Sequence, residues 1–206
     1  GRVFNLTEDS DDADFEPAYS PDGSRIAVRS GGDGGGIYLM GATGEDVRRL
    51  VDGGFAPAWL PDGESIVYAN QTFFVPWQLN NPRHLHVVDV ASGETRLLTE
   101  EGLQPAWSPN GYRIAYFAIG EGGQRDVWTI GADGSGALAV TVDEALDWGP
   151  QWSPDGRFLY FSSNRGGTHN IWRVPIDERT GELLGAFENV TTGGSDLQGY
   201  VSLARD

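Results

Sequence analysis

The side chains best suited to chemistry are carboxylates in two acidic stretches, and the clearest candidates are Asp11, Asp12, Asp14 and Asp147. Carboxylate oxygens are the ligands that Ca²⁺ prefers, so Asp11, Asp12 and Asp14 are candidate calcium ligands. Their spacing does not reproduce an EF-hand loop. Asp14 and Asp147 each stand three residues before a proline, which also fits a repeated side-chain cap on a loop. We therefore predict no resident cofactor, with Ca²⁺ as the alternative.

A second candidate site is aromatic and lies in the long segment from Asn70 to His84. Phe73, Phe74 and Trp77 stand within it, in a loop longer than most strand connections. Large aromatic side chains are typical of contact surfaces for a peptide or a sugar. The alternative is that they pack over neighbouring structure and bind nothing.

Further candidates are Trp148, which follows Asp147 in the second acidic stretch, and Asn164 and Arg165, which stand in a loop of the fourth repeat. An arginine here could bind a ligand carboxylate through paired hydrogen bonds. His84 and His86 alternate along a predicted strand and so share a face, but a zinc site needs a further ligand that the neighbouring sequence does not supply.

Catalytic signatures are missing from this sequence. It contains no cysteine, and all 14 cationic side chains are arginine, which excludes thiol and lysine nucleophiles. Neither a G-x-S-x-G elbow, nor H-E-x-x-H, nor a phosphate-binding G-x-x-x-x-G-K occurs. We therefore predict that the chain is not an enzyme, and that any catalytic domain would be a separate part of a longer protein.

Charge narrows the choice of partner. The formal net charge is −16, which disfavours nucleic acid and anionic membrane surfaces. No apolar run is long enough to span a bilayer. We expect a protein or peptide partner and a periplasmic or secreted location, with the cytoplasm as the alternative.

The elements that position these residues follow from a repeated tetrapeptide. It occurs as Ser20-Pro21-Asp22-Gly23 and again at residues 60–63, 108–111 and 153–156. Proline at the second position, Asp or Asn at the third and glycine at the fourth are typical of a type I turn between two strands. The spacings match the 40–50 residues of a four-stranded propeller blade.

Runs of β-branched and aromatic residues complete each repeat. We predict an all-β propeller of four-stranded antiparallel blades, as one domain over residues 1–206, with repeat units at roughly residues 14–51, 54–99, 102–141 and 147–191. Residues 1–7 align with the outer strands, and residues 200–206 align with an inner strand. They predict the first and last strands of a fifth, split blade, whose ring would close within a longer chain, within this one or between chains.

The repeat resembles the TolB-type, WD-like bacterial propeller family with its W-S-P-D-G turn. Blade four carries the resemblance best, in Pro150-Gln151-Trp152-Ser153-Pro154-Asp155-Gly156, and the match recurs four times along the chain. Tyr19, Leu60 and Asn110 depart from the pattern but keep the chemistry of the turn.

The resemblance implies a sensor or binding module, so we expect a non-catalytic module that recognises a protein or peptide through the face with variable loops. The first alternative is the propeller part of a larger peptidase or carbohydrate-active enzyme. The second is a repeat segment that associates with itself through its open blade edges.

Overall fold

The computed structural model describes residues 3–8, 12–72 and 82–192, and these residues form four antiparallel four-stranded sheets. Blade 1 contains β1 (Asp14–Tyr19), β2 (Arg25–Ser30), β3 (Gly36–Gly41) and β4 (Arg48–Asp52). Blade 2 contains β5 (Phe55–Trp59), β6 (Ser65–Ala69), β7 (Leu85–Asp89) and β8 (Thr95–Thr99). Blade 3 contains β9 (Leu103–Trp107), β10 (Arg113–Ile119), β11 (Arg125–Gly131) and β12 (Leu138–Ala139). Blade 4 contains β13 (Asp147–Trp152), β14 (Phe158–Ser163), β15 (Asn170–Pro175) and β16 (Glu188–Asn189).

The repeated tetrapeptide forms the predicted turn between the first and second strands of every blade. In blade 1 the Gly23 amide donates to the Ser20 carbonyl at 2.9 Å, and the same bond recurs in the other three blades. The Ser20 hydroxyl adds two bonds, since it donates to Asp22 at 2.6 Å and accepts from the Arg25 amide at 2.9 Å. Local side-chain chemistry therefore forms the corner, as the sequence predicts.

The core lies between successive blades, where apolar faces of adjacent sheets pack together. One cluster joins Ala27, Ile37 and Leu39 of blade 1 to Ile66 and Val88 of blade 2. A larger cluster runs through blades 2, 3 and 4. The first strands β1, β5, β9 and β13 contact one another in sequence, so they are the inner strands around the propeller axis.

The outer strands of blades 3 and 4 are shorter than predicted, with two residues each in β12 and β16. The predicted strands extend to Thr141 and Thr191. In the structure the hydroxyl oxygens of these threonines accept hydrogen bonds from the amides of Val127 and Ile171, at 2.9 Å in both cases. A side-chain oxygen thus replaces the backbone acceptor, and the regular ladder ends early.

Residues 3–8 are coil and turn, whereas the sequence predicts an outer strand there. A strand needs a neighbour to pair with, and none of the described residues pairs with this segment. Its position nevertheless matches that of an outer strand. A Cβ added to Gly44, in the last turn of blade 1, would lie 2.9 Å from the Leu6 carbonyl oxygen. A Cβ added to Gly134, the equivalent glycine of blade 3, would lie 2.9 Å from the carbonyl oxygen of Leu98, which belongs to the outer strand β8. The other half of the predicted split blade, residues 200–206, lies outside the described residues, so that blade stays a prediction.

Connections alternate between two faces of the propeller. On the turn face, the amides of Ala42, Val90 and Ala132 donate to carbonyls in the turns of the same blades. The second-to-third-strand loops and the blade-to-blade loops lie on the opposite face, which we call the variable-loop face. Within residues 3–8, 12–72 and 82–192 the helical structure consists of short 3₁₀ turns, and no helix is long and apolar enough to cross a bilayer.

Candidate functional site

A groove of about 820 Å³ runs along the propeller axis and is the concave site that the inner strands build together. Its wall consists of residues 16–21, 56–59, 61 and 104–109 with Gln151, so blades 1, 2 and 3 contribute equivalent segments. Each segment runs from the middle of an inner strand into the tetrapeptide turn. The groove therefore opens toward the turn face, and its volume lies in the range of ligand sites in proteins.

A repeated backbone irregularity shapes this wall. Glu16, Ala56, Gln104 and Gly149 have φ values of 54°, 49°, 47° and 63°, and each directly precedes a proline. Pairing with the second strand shifts at each of these sites, so two inner-strand residues oppose one residue of the neighbouring strand. These are β-bulges, which bend a strand and often lie near binding sites.

Side chains from neighbouring blades close the inner edge between blades 1 and 2. The Glu16 carboxylate accepts from the Ala56 amide at 2.7 Å, and the Trp59 indole donates to the Ala18 carbonyl at 2.9 Å. Trp107 Nε1, the counterpart of the Trp59 indole in blade 3, is buried and has no hydrogen-bond partner, and the same holds for Gln104 Oε1, the counterpart of the Glu16 carboxylate in blade 3. These two side chains therefore do not repeat the ties that join blades 1 and 2.

The serines of the groove are committed to the turns. The Ser20 hydroxyl hydrogen bonds to Asp22, and the Ser108 hydroxyl accepts from the Arg113 amide at 3.1 Å. The Ser20 hydroxyl and the Ser24 amide and hydroxyl hold the pKa of the Asp22 carboxyl at about 2, which makes Asp22 a poor general base. The described groove residues therefore suit binding better than nucleophilic catalysis.

On the variable-loop face, Arg165 and Asp147 form a buried ion pair. Their closest nitrogen and oxygen are 2.8 Å apart, with the side chains 10% and 0% exposed. Asp143 adds a second carboxylate 3.4 Å from the guanidinium. Burial raises the pKa of Asp147, against the lowering effect of the Ser163 hydroxyl and of Arg165. The predicted ligand-binding Arg165 is thus occupied by partners within the chain.

Aromatic rings surround the same arginine. Its guanidinium carbon lies 4.0 Å from the centre of the Phe187 ring, 5.3 Å from that of Phe161 and 5.7 Å from that of Trp172. Stacking of this kind adds to the electrostatic attraction. Arg165 therefore anchors the β14–β15 loop to the strand that begins at Asp147.

The remaining candidates of this region also make contacts within the chain. The Asn164 side chain accepts from the Leu146 amide at 2.8 Å, as a loop cap would. Trp148 packs edge-on against His169, with ring centres 4.8 Å apart, and lies beneath Arg125 at 5.6 Å. These contacts explain the polar and aromatic residues without a ligand.

Asp14 takes the place in blade 1 that Asp147 takes in blade 4. Each begins an inner strand, and each is paired across the sheet with a serine, Ser30 or Ser163. Asp14 is more exposed than Asp147. Asp12 is exposed, and Asp11 lies outside the described residues. Over residues 3–8, 12–72 and 82–192, no three His, Asp or Glu side chains come together as a metal site would require.

The two histidines share a face, as their spacing predicts. The rings of His84 and His86 are 6.0 Å apart, and His86 stacks on Tyr68 at 5.5 Å. Burial, followed by the nearby charge of His84, lowers the pKa of His86. Phe73, Phe74 and Trp77 lie outside the described residues, so their predicted role as a contact patch stays a prediction.

The axial groove itself was missed by reasoning from the sequence. A signal for it was present, because a proline stands three residues after the first residue of every repeat unit and marks the bulge, at Pro17, Pro57, Pro105 and Pro150. Sequence repetition indicates a shared structural role. It does not show that equivalent residues of three blades face one cavity.

Comparisons with known proteins agree with this architecture. The family model described as the TolB β-propeller domain matches residues 73–199. An uncharacterized protein of Agrobacterium fabrum is 29% identical over 175 residues, which cover 82% of this chain and 57% of that protein. The uncharacterized peptidase YuxL of Bacillus subtilis is 30% identical over 159 residues, which cover 72% of this chain and 22% of that protein.

Among solved structures, the putative TolB from Agrobacterium tumefaciens superimposes with a TM-score of 0.70 at 25% identity. The superposition covers 84% of this chain and 63% of that one. This chain therefore spans only part of the length of each of these relatives.

Proposed function

Because the chain belongs to the TolB β-propeller family, we propose that it is a non-catalytic module that recognises an extended segment of a partner protein. Propellers of this family are protein-interacting modules. The axial groove is the proposed primary site, and the variable-loop face, with Phe73, Phe74 and Trp77, is the proposed second contact region.

One observation carries the proposal: three inner strands present equivalent segments to a single groove of about 820 Å³. Tyr19 is 60% exposed there, and prolines and tryptophans form much of the rest of the wall. Walls of this composition favour an extended chain, because aromatic and proline surfaces bind it with little loss of side-chain entropy. Open ends make the groove accessible to a polypeptide.

The test is selection of peptides followed by titration. A random twelve-residue peptide library would be selected on the purified chain, and the affinities of the resulting peptides measured by calorimetry. We expect Tyr19→Ala to weaken binding about tenfold or more, because an exposed aromatic anchor is removed. Tyr112→Ala on the turn face is the matched control, since Tyr112 is also exposed and lies outside the groove.

Unchanged affinity in Tyr19→Ala would place the peptides elsewhere. Simultaneous replacement of Phe73, Phe74 and Trp77 by alanine then tests the second region. Weaker binding by a folded variant supports a contact patch there, whereas loss of folding supports core packing.

A second candidate function is the propeller part of a larger peptidase, which the identity to YuxL favours. In that case hydrolysis would need a further domain, and this chain would select or admit the substrate. Incubating the chain with the selected peptides tests what both candidates share, a chain that does not itself hydrolyse its ligand: cleavage would contradict both. A periplasmic or secreted location belongs to the proposal, and cell fractionation tests it. Self-association through open blade edges is the remaining alternative, and light scattering tests it.

A further inference from the structure

The repeat places equivalent residues at the junctions between blades, and at one junction a small side chain stands where another has an arginine. Arg25, Ser65 and Arg113 are the first residues of β2, β6 and β10, each two residues after the glycine of the turn. Two of these three positions thus carry arginine. Blade 2 alone among them carries a small side chain.

Between blades 1 and 2 the arginine fills the junction. The guanidinium carbon of Arg25 lies 4.9 Å from the centre of the Trp59 ring, and its Nη2 donates to the Gly63 carbonyl at 3.0 Å. Its charge also contributes to the lowered pKa of Asp22. The guanidinium is therefore held by an indole face and a turn carbonyl, with the charge of Asp22 nearby.

Between blades 3 and 4 the equivalent arginine is turned toward its own blade. Arg113 is 5% exposed and donates to the Thr129 side chain and carbonyl at 3.0 Å each. It also lies against Gly181 of blade 4, where an added Cβ would come within 2.7 Å of its Nε. That junction has no room for a further side chain at Gly181.

Between blades 2 and 3 the same place is a recess of about 320 Å³. Ser65 and Trp107 line it together with Asp62 and Gly111, the counterparts of Arg25, Trp59, Asp22 and Gly63 respectively. The indole, the turn glycine and the carboxylate are thus retained, and the arginine is missing.

Arg96 also lines the recess but serves another purpose. It donates to the Ala132 carbonyl at 2.7 Å, just as Arg48 donates to the Val90 carbonyl at 2.7 Å one junction earlier. At that junction Arg48 makes this bond while Arg25 stacks on Trp59. The recess between blades 2 and 3 can therefore hold a second guanidinium beside Arg96.

We propose that the recess between blades 2 and 3 binds an arginine side chain of the partner polypeptide. The ligand's guanidinium would stack on Trp107 and donate to the carbonyl of Gly111, with Asp62 supplying negative charge, as Arg25 does within the chain. Trp107 also lines the axial groove, so an arginine bound here belongs to a segment that continues along the axis. This inference rests on the proposed function and specifies the chemistry of its partner.

The test uses Nα-acetyl-arginine methylamide as probe, followed through the Trp107 indole resonance of ¹⁵N-labelled protein. We expect one bound equivalent with a dissociation constant on the order of a millimolar, the range for so small a ligand. The citrulline analogue keeps the shape and loses the charge, so we expect it to bind about tenfold more weakly. Free L-arginine is the comparison that distinguishes a metabolite from a residue within a chain. If free L-arginine bound more tightly than Nα-acetyl-arginine methylamide, the assignment to a polypeptide would be overturned.

Two variants control for folding. Ser65→Arg supplies the missing side chain from within, so binding of the probe should disappear while the circular dichroism spectrum is retained. Arg25→Ser opens the equivalent place over Trp59, so a second equivalent of probe should bind. Binding to Ser65→Arg with unchanged affinity, or failure of the unaltered chain to bind the probe, would overturn the proposal.

These results can be separated from failure of the proposed function. If Tyr19→Ala weakens binding of the selected peptides while Ser65→Arg leaves it unchanged, the axial groove stands and the arginine site falls. If Ser65→Arg weakens binding of the selected peptides while Tyr19→Ala leaves it unchanged, the arginine site stands and the axial groove falls.

Discussion

The repeated bulge of the inner strands allows a paired test in opposite directions. Ala56 and Gly149 occupy the same place in blades 2 and 4, with φ values of 49° and 63°. A left-handed conformation costs an L-residue about 1–2 kcal/mol, whereas glycine adopts it freely. Glycine loses about 0.5–1 kcal/mol more backbone entropy on folding, which offsets part of the gain. We therefore expect Ala56→Gly to stabilise the fold by about 0.5–1 kcal/mol, and Gly149→Ala to destabilise it by a similar amount.

The local contacts support this magnitude. A Cβ on Gly149 would meet Gln104 Oε1 at 3.7 Å, an ordinary contact, so the conformation itself is the main cost. The Ala56 amide, which donates to Glu16, remains in the glycine variant. Gly120→Ala is the control, because its φ is −82° and the nearest atom to an added Cβ is 3.9 Å away.

Urea unfolding monitored by tryptophan fluorescence gives the free energies of unfolding. In thermal unfolding, the melting temperature should rise by about 1–4 °C in Ala56→Gly and fall by a similar amount in Gly149→Ala. Gly120→Ala should be neutral or slightly stabilising. If Ala56→Gly lowered the free energy of unfolding, or if Gly149→Ala left it unchanged, the strained bulge would be refuted.

Two further predictions concern electrostatics. The pKa of Asp22 is about 2, so its stabilising contribution should be complete above its ordinary value of 3.8 and be lost as the pH falls from there toward 2. NMR titration should show this value, and Ser20→Ala should raise it, whereas an unshifted Asp22 would contradict the hydrogen-bonded turn. Replacing Arg165 by methionine leaves the Asp147 carboxylate buried without its counter-ion, so unfolding measurements should show a loss of about 3–5 kcal/mol. Arg173→Met is the control at an exposed ion pair and should cost no more than about 1 kcal/mol, and equal losses in both variants would contradict the role of burial.

Much of the blade architecture could be predicted because its signals are local. The tetrapeptide contains the residues that form its own turn, and β-branched runs such as Arg25–Val28 follow it directly. The turn positions and the four-stranded antiparallel blades were therefore predicted from the sequence. The short outer strands were overestimated, because the hydroxyls of Thr141 and Thr191 replace backbone acceptors and sequence patterns do not distinguish the two.

The candidate site was harder to predict because it depends on contacts between distant residues. Arg165 looked available in the sequence, yet Asp143 and Asp147 pair with it across the junction of two loops. Ala56 and Gln104 are not residue types that favour positive φ, so the recurring prolines alone did not reveal the conformation of the bulges. Ser65 stood out from Arg25 and Arg113 only once the structure showed the space that the arginine would fill.

The central claim is that a partner polypeptide lies in the axial groove of this propeller. Amide hydrogen exchange of the chain, with and without a selected peptide at saturating concentration, tests it most directly. The account predicts slower exchange concentrated in three segments that line the groove, residues 16–21, residues 56–59 with residue 61, and residues 104–109. Slower exchange confined to other surfaces, with those three segments unchanged, would contradict it.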